Sequence, residues 1–127
     1  YRKGPTYKAY KRYSTPSLRV SASLDVVAFT FILDDLVYPD GATLMAQPGG
    51  GGPQTLFGYQ LYAGQQAAVG LAAGVGADLP PTCLQWLANC GIQLEGLLVQ
   101  ESQPTPRAWQ VLESDGRRTE VRRCPAL

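Results

Sequence analysis

The sequence predicts an α/β domain: a parallel sheet with flanking helices, followed by a β-hairpin. Three observations carry this reading. Asp25–Leu33 and Ala67–Ala73 are nearly continuous apolar runs, the first rich in β-branched and aromatic residues, as expected of strands buried in a parallel sheet. Segments with helix start and stop signals separate the runs. Ser114-Asp-Gly-Arg117 stands between two short strand-like segments, a strong hairpin signal. Strands that alternate with helices argue for parallel pairing with helices packed on the sheet.

The elements follow in order. Asp25–Leu33 reads as the first strand, ended by Asp34-Asp35, and Tyr38-Pro-Asp-Gly41 reads as a turn. Gly49–Gly52 then leads into a helix with Pro53 in its first turn and Thr55–Ala63 as its body. Ala67–Ala73 is the second strand, ending at Gly74-Val-Gly76. A helix opens at Asp78 or Leu79, with Pro80 and Pro81 in its first turn, and stops at Gly91. Leu97–Gln100 is the third strand. Arg107–Glu113 and Arg118–Arg123 form the hairpin.

At 127 residues the chain amounts to one domain, long enough to bury roughly 65% of its unfolded surface. No apolar run approaches the ~20 residues of a membrane-spanning helix. Charge is strongly segregated. Residues 1–24 carry six basic side chains (Arg2, Lys3, Lys8, Lys11, Arg12, Arg19), four interleaved tyrosines and no acid, whereas residues 25–106 carry seven acids and no Lys or Arg. A basic extension (1–24) therefore precedes an acidic body (25–123) and a short tail (124–127). That extension suits docking to acidic protein or to RNA, with Arg and Lys on phosphates and Tyr rings stacking.

Several chemistries are excluded. The chain has no His, so Ser-His-Asp and Cys-His sites cannot form. Three cysteines without a CxxC pair provide no zinc-finger spacing, and no metal site is expected. Cys83 and Cys90 read as small core residues on one helix face. Adjacent Asp34 and Asp35 diverge in a strand and cannot work as an acid/base pair.

Two features point to ligand binding. Asp35 lies just past the first strand's carboxyl end, the edge where open α/β sheets bind ligands, and a carboxylate there can accept two hydrogen bonds from a diol. Gly49, Gly50, Gly51 and Gly52 precede a helix, where bare backbone can approach a ligand and amides can donate. The tetrad lacks the Gly-Lys-Ser/Thr of a P-loop and is not a GxGxxG fingerprint.

Five motifs in order resemble the pfkB (ribokinase-like) family of carbohydrate and nucleoside kinases: Phe29-Thr-Phe-Ile-Leu-Asp-Asp35, Gly49-Gly-Gly-Gly-Pro-Gln54, Gly74-Val-Gly-Ala-Asp78, Cys90-Gly-Ile92, and Pro104-Thr-Pro-Arg-Ala108 paired across Asp115-Gly-Arg-Arg118. The wording of the second and last looks most like the divergent Mak32-like branch. The resemblance implies a partial ribokinase-like fold, its N-terminal half, over 25–123. It implies that Asp35, Gly49–Gly52 and Gln54 grip substrate hydroxyls, and that Thr105, Arg107 and Ala108 begin a β-lid over the substrate.

The chain departs from the family pattern at Thr30, where the family has Gly, and at Gln54, where it has Asn. The family's second half, with its nucleotide site and catalytic Asp, has no counterpart in these residues, and phosphoryl transfer depends on such positioning and charge stabilisation. ATP and magnesium are therefore expected only of a full-length kinase, and no cofactor or catalytic residue is assigned to this chain. The expectation is a non-catalytic remnant or fragment serving as a structural subunit of a larger assembly, with other subunits or the basic extension covering an exposed sheet edge. The alternative is a piece of an active ATP-dependent kinase. An intracellular location, mitochondrion or chloroplast included, accords with the basic acid-free start.

Overall fold

A computed structural model describes the backbone of Lys11–Arg12 and residues 23–123. These residues form two four-stranded sheets. Sheet A has the order β1-β6-β5-β2 and sheet B the order β4-β3-β7-β8, with β1 Lys11–Arg12, β2 Val26–Phe29, β3 Ile32–Val37, β4 Thr43–Gly49, α1 Gly51–Ala63, β5 Val69–Gly76, α2 Pro81–Asn89, β6 Ile92–Gln100, β7 Arg107–Leu112 and β8 Arg118–Arg123.

The expected first strand is in fact two. Val26–Phe29 pairs in parallel with β5 in sheet A, while Ile32–Val37 passes into sheet B, parallel to β7. The break falls at Thr30, whose φ is 76°. A β-branched residue in the left-handed region is strained, and glycine would relieve that strain at some entropic cost. Thr30→Gly is therefore expected to stabilise the fold by about 1 kcal/mol, raising the melting temperature by roughly 4–8 °C. A calorimetric scan in which T30G melts no higher than wild type would refute this.

β4 is not expected from the sequence. Its residues, Thr-Leu-Met-Ala-Gln-Pro-Gly, do not alternate in polarity, and pairing with β3 makes them a strand. β6 also starts five residues earlier than expected, directly after Gly91 (φ 76°), which ends α2. α1 takes in Gly51 and Gly52 ahead of Pro53, and α2 has Pro81 at its first position.

Strands β2, β5 and β6 run parallel and progress across sheet A in one direction. Right-handed crossovers then place both helices on the same face. There Leu56 of α1 and Cys83 and Leu87 of α2 pack on Ala28, Leu71, Val75, Leu97 and Val99. Phe57 meets Trp86 edge-on at 5.3 Å between centroids, joining the two helices. Cys83 is buried as expected, whereas Cys90 caps α2 and is half-buried.

The opposite face of sheet A carries no helix among the described residues. The strand registers place Val27, Phe29, Gly70, Ala72, Gly74, Gly96 and Leu98 on it, and Phe29 is 70% exposed. The outer edge of β6 is paired with Lys11–Arg12 of the basic extension, antiparallel to Val99 and Leu98. Arg2, Lys3, Lys8 and Arg19 lie outside the described residues, as do the side chains of Lys11 and Arg12. No described helix is long and apolar enough to cross a membrane.

Candidate functional site

Asp35, expected just past a strand's carboxyl end, stands inside β3, and the amino-terminal part of β3 and the carboxyl end of β5 meet the start of β7. Parallel pairing of β3 with β7 brings Asp35 opposite Trp109 and Leu33 opposite Arg107, so Asp35, Arg107 and Trp109 lie on one face of sheet B. Asp34 lies on the other, as alternation requires.

Asp35 is 2% exposed. Its Oδ1 accepts from Arg107 Nη2 at 2.7 Å and Ala46 N at 2.8 Å, and its Oδ2 accepts from Arg107 Nε at 2.9 Å. The Ala46 amide reaches it because the register of β4 against β3 shifts beside Asp35 and Ala46 adopts φ 56°. The forked Arg107 bond holds the Asp35 carboxyl below the usual carboxylate range; burial opposes this, and the Ala46 amide adds to it. Three of the roughly four acceptor positions of the carboxylate are thus filled, where the sequence suggested two hydrogen bonds from a diol.

Asp78 closes one of the sequence motifs, yet nothing local marks a role for it. Its Oδ1 accepts from the amide and the hydroxyl of Thr105, both at 2.7 Å, and Thr105 Oγ1 accepts from Gly76 N at 2.9 Å. These bonds fasten the loop before β7 to the end of β5. Burial pushes the Asp78 carboxyl up, but the Thr105 bonds, its own amide and the Arg107 charge together outweigh it, and the net direction is down. Thr105 is 1% exposed and Ala108, within β7 opposite Asp34, is fully buried. Cys83 donates to Ala46 O at 3.5 Å, and burial raises its thiol pKa against the Arg107 charge.

Both carboxyls have lowered folded-state pKa values. Their contribution is complete above the unfolded Asp value near 3.9 and is lost as pH falls through the folded values. The denaturant midpoint is expected to stay level from pH 7 to about 5 and to fall steeply below about 4. A midpoint that is the same at pH 3 and pH 7 would contradict this.

Packing and backbone conformation account for three glycines of the tetrad. A Cβ on Gly49 would fall on the Asp34 carboxylate and one on Gly52 on Thr30 O, and Gly50 has φ 85°. Gly51 alone is open, exposed at the start of α1, with Gln54 exposed further along the same first turn. The structure therefore explains three of the four glycines by close approach or backbone conformation. On the far face of sheet B, Gln110 Nε2 donates to Asp34 Oδ1 and Glu120 Oε2, both at 3.1 Å, and its buried Oε1 has no partner. No sequence signal marks Gln110, whose burial depends on β8. Among the described residues no cluster of His, Cys, Asp and Glu could hold a metal.

No protein-family model matches the chain, and no curated protein matches it in sequence. Solved structures do match. The ribokinase of Cryptococcus neoformans var. grubii serotype A in complex with ADP superposes with a TM-score of 0.67 at 17% identity, over 80% of this chain and 35% of that one. Ribokinase from Giardia lamblia gives 0.66 at 18%, over 80% and 33%. Fructokinase with bound ATP from Xylella fastidiosa gives 0.63 at 20%, over 79% and 30%. The chain spans about a third of the length of each. The described domain thus has a partial ribokinase-like fold, a parallel sheet with flanking helices.

Proposed function

We propose that this chain is a non-catalytic remnant or fragment of a pfkB-like sugar kinase that acts by binding, as a structural part of a larger assembly. The face of sheet A that carries no helix among the described residues, with Leu24 lying over Gly70 at its margin, carries the proposal. Val27, Phe29 and Leu98 stand exposed there at 43%, 70% and 39%, and β2 forms an unpaired parallel edge among the described residues. Apolar parallel sheets are normally covered on both faces. Another polypeptide is the proposed cover. The basic side chains of residues 1–24 would serve the same assembly through acidic protein or RNA, in a mitochondrion or chloroplast. The wording of Gly49–Thr55 and Pro106–Trp109 supports placement near the Mak32-like branch. The proposed ligand side is Asp35, the start of α1 and the lid sheet, with hydroxyls as the groups gripped.

Hydroxyl-radical footprinting on protein in native extract tests the cover. Phe29 is expected to be protected there and labelled in the isolated chain; equal labelling would refute it. A second reading, a piece of an active ATP-dependent carbohydrate or nucleoside kinase, is favoured by the neighbours' names and by the fraction of their length matched. Phosphorylation of any sugar from ATP by the 127-residue chain would establish that reading and overturn the first.

A further inference from the structure

A neutral diol that is to reach Asp35 must displace Arg107, because the guanidinium fork spans both carboxylate oxygens and the side chain is 3% exposed. The displaced guanidinium belongs to a side chain only 26% exposed. Leaving it without a counter-charge in poorly solvated surroundings is costly. Asp78 is a second acid whose charge acts on Arg107, but it is exposed, its Oδ1 is committed to the Thr105 amide and hydroxyl, and solvent screens what it offers the guanidinium.

A ligand that carries an anion beside its hydroxyls removes this cost. Its hydroxyls replace Arg107 on Asp35, its anion takes the freed guanidinium, and no charge is orphaned. The guanidinium fork matches phosphate or carboxylate oxygens two at a time. Trp109 lies in register with Asp35 on the same face and is 42% exposed, offering a ring to the C–H face of a sugar.

We propose that Arg107 is a specificity-determining residue that admits anionic polyols, sugar phosphates or sugar acids, in preference to neutral sugars. The proposal rests on the reading of Asp35 as the hydroxyl-gripping group. An unliganded protein keeps the pair closed, so the apparent affinity for a neutral sugar is reduced by the small fraction of open molecules.

Calorimetric titration of the 127-residue chain with ribose, ribose 5-phosphate, gluconate and inorganic phosphate tests it. Ribose 5-phosphate is expected to bind at least about tenfold more tightly than ribose or inorganic phosphate, and gluconate shows whether a carboxylate suffices. Arg107→Gln should bring ribose and ribose 5-phosphate to within about twofold of each other, whereas Arg107→Lys, which keeps the charge without the fork, should retain part of the preference. The wild-type comparison decides the matter even if R107Q fails to fold. Equal binding of ribose and ribose 5-phosphate by wild type, or binding of inorganic phosphate as tight as that of the sugar phosphate, overturns the proposal. Ribose binding that Asp35→Asn abolishes, without any anion preference, removes the exchange and leaves the hydroxyl reading standing. Absence of binding by all four removes both.

Discussion

Gly76→Ala is expected to destabilise the domain by about 3 kcal/mol, the upper end of what overpacking usually costs. Gly76 closes β5 where the loop before β7 crosses it. A Cβ there would fall on the carbonyl oxygen of Gln103 and lie 2.5 Å from both Asp78 Oδ1 and Thr105 N. Two of these three atoms are backbone, and the third is fixed by two hydrogen bonds to Thr105, so none can yield cheaply. Relief requires the loop to lift, and lifting it breaks the Thr105 bonds that anchor sheet B to sheet A. Gly74 is the internal control: it lies two residues earlier on the same strand, is exposed, and a Cβ added to it would meet nothing within 4 Å. Gly74→Ala should be neutral or stabilising by a few tenths of a kcal/mol, since it restricts the unfolded chain. Urea midpoints of the two variants at matched slopes give the comparison, and equal midpoints would refute it.

Arg107→Ala is expected to cost about 3 kcal/mol at pH 7, the low end for breaking a buried ion pair because Arg107 keeps some solvent contact. The loss arises mostly from Asp35, left charged and nearly inaccessible with only the Ala46 amide to hold it. The penalty should shrink below about pH 4, where Asp35 can take up a proton. The Asp35→Asn background should also lose much less on Arg107→Ala than wild type does, because the orphaned charge is gone. A loss of under about 0.5 kcal/mol at pH 7, or strict additivity with Asp35→Asn, would show that the pair contributes little.

The parts of the fold that were legible in the sequence are those set by local chemistry. Gly91 ends α2, the Pro80-Pro81 pair marks its start (two or three residues later than the Asp78 or Leu79 expected), Gly76 ends β5, and Asp115-Gly116 turns the hairpin, because proline, glycine and aspartate impose φ values or turn bonds on their own neighbourhood. The apolar run of 25–33 was visible, but its division at Thr30 was not. A positive φ at a threonine opposes local preference, and only the pull of two different sheets on the two halves produces it. β4 was invisible for a related reason: its residues have no strand period of their own and are extended because β3 pairs with them.

The candidate site divides along the same line. Its residues, Asp35, the glycine tetrad, Thr105 and Arg107, could be named from motif order. Their relations could not, since 72 positions separate Asp35 from Arg107 and no local signal reports which charge a carboxylate will meet.

The alternation of strand and helix, the segregation of a basic extension from an acidic body, and the lack of histidine among these 127 residues could be read directly from the sequence. All three are properties of composition and of neighbours along the chain. Only folding settles that Asp35 is closed by Arg107, that three glycines of the tetrad answer to packing or a positive φ, and that one face of sheet A carries no helix among the described residues. Those facts depend on which surfaces meet across strands far apart in sequence, and that is settled only when the sheets pair and the helices choose a side.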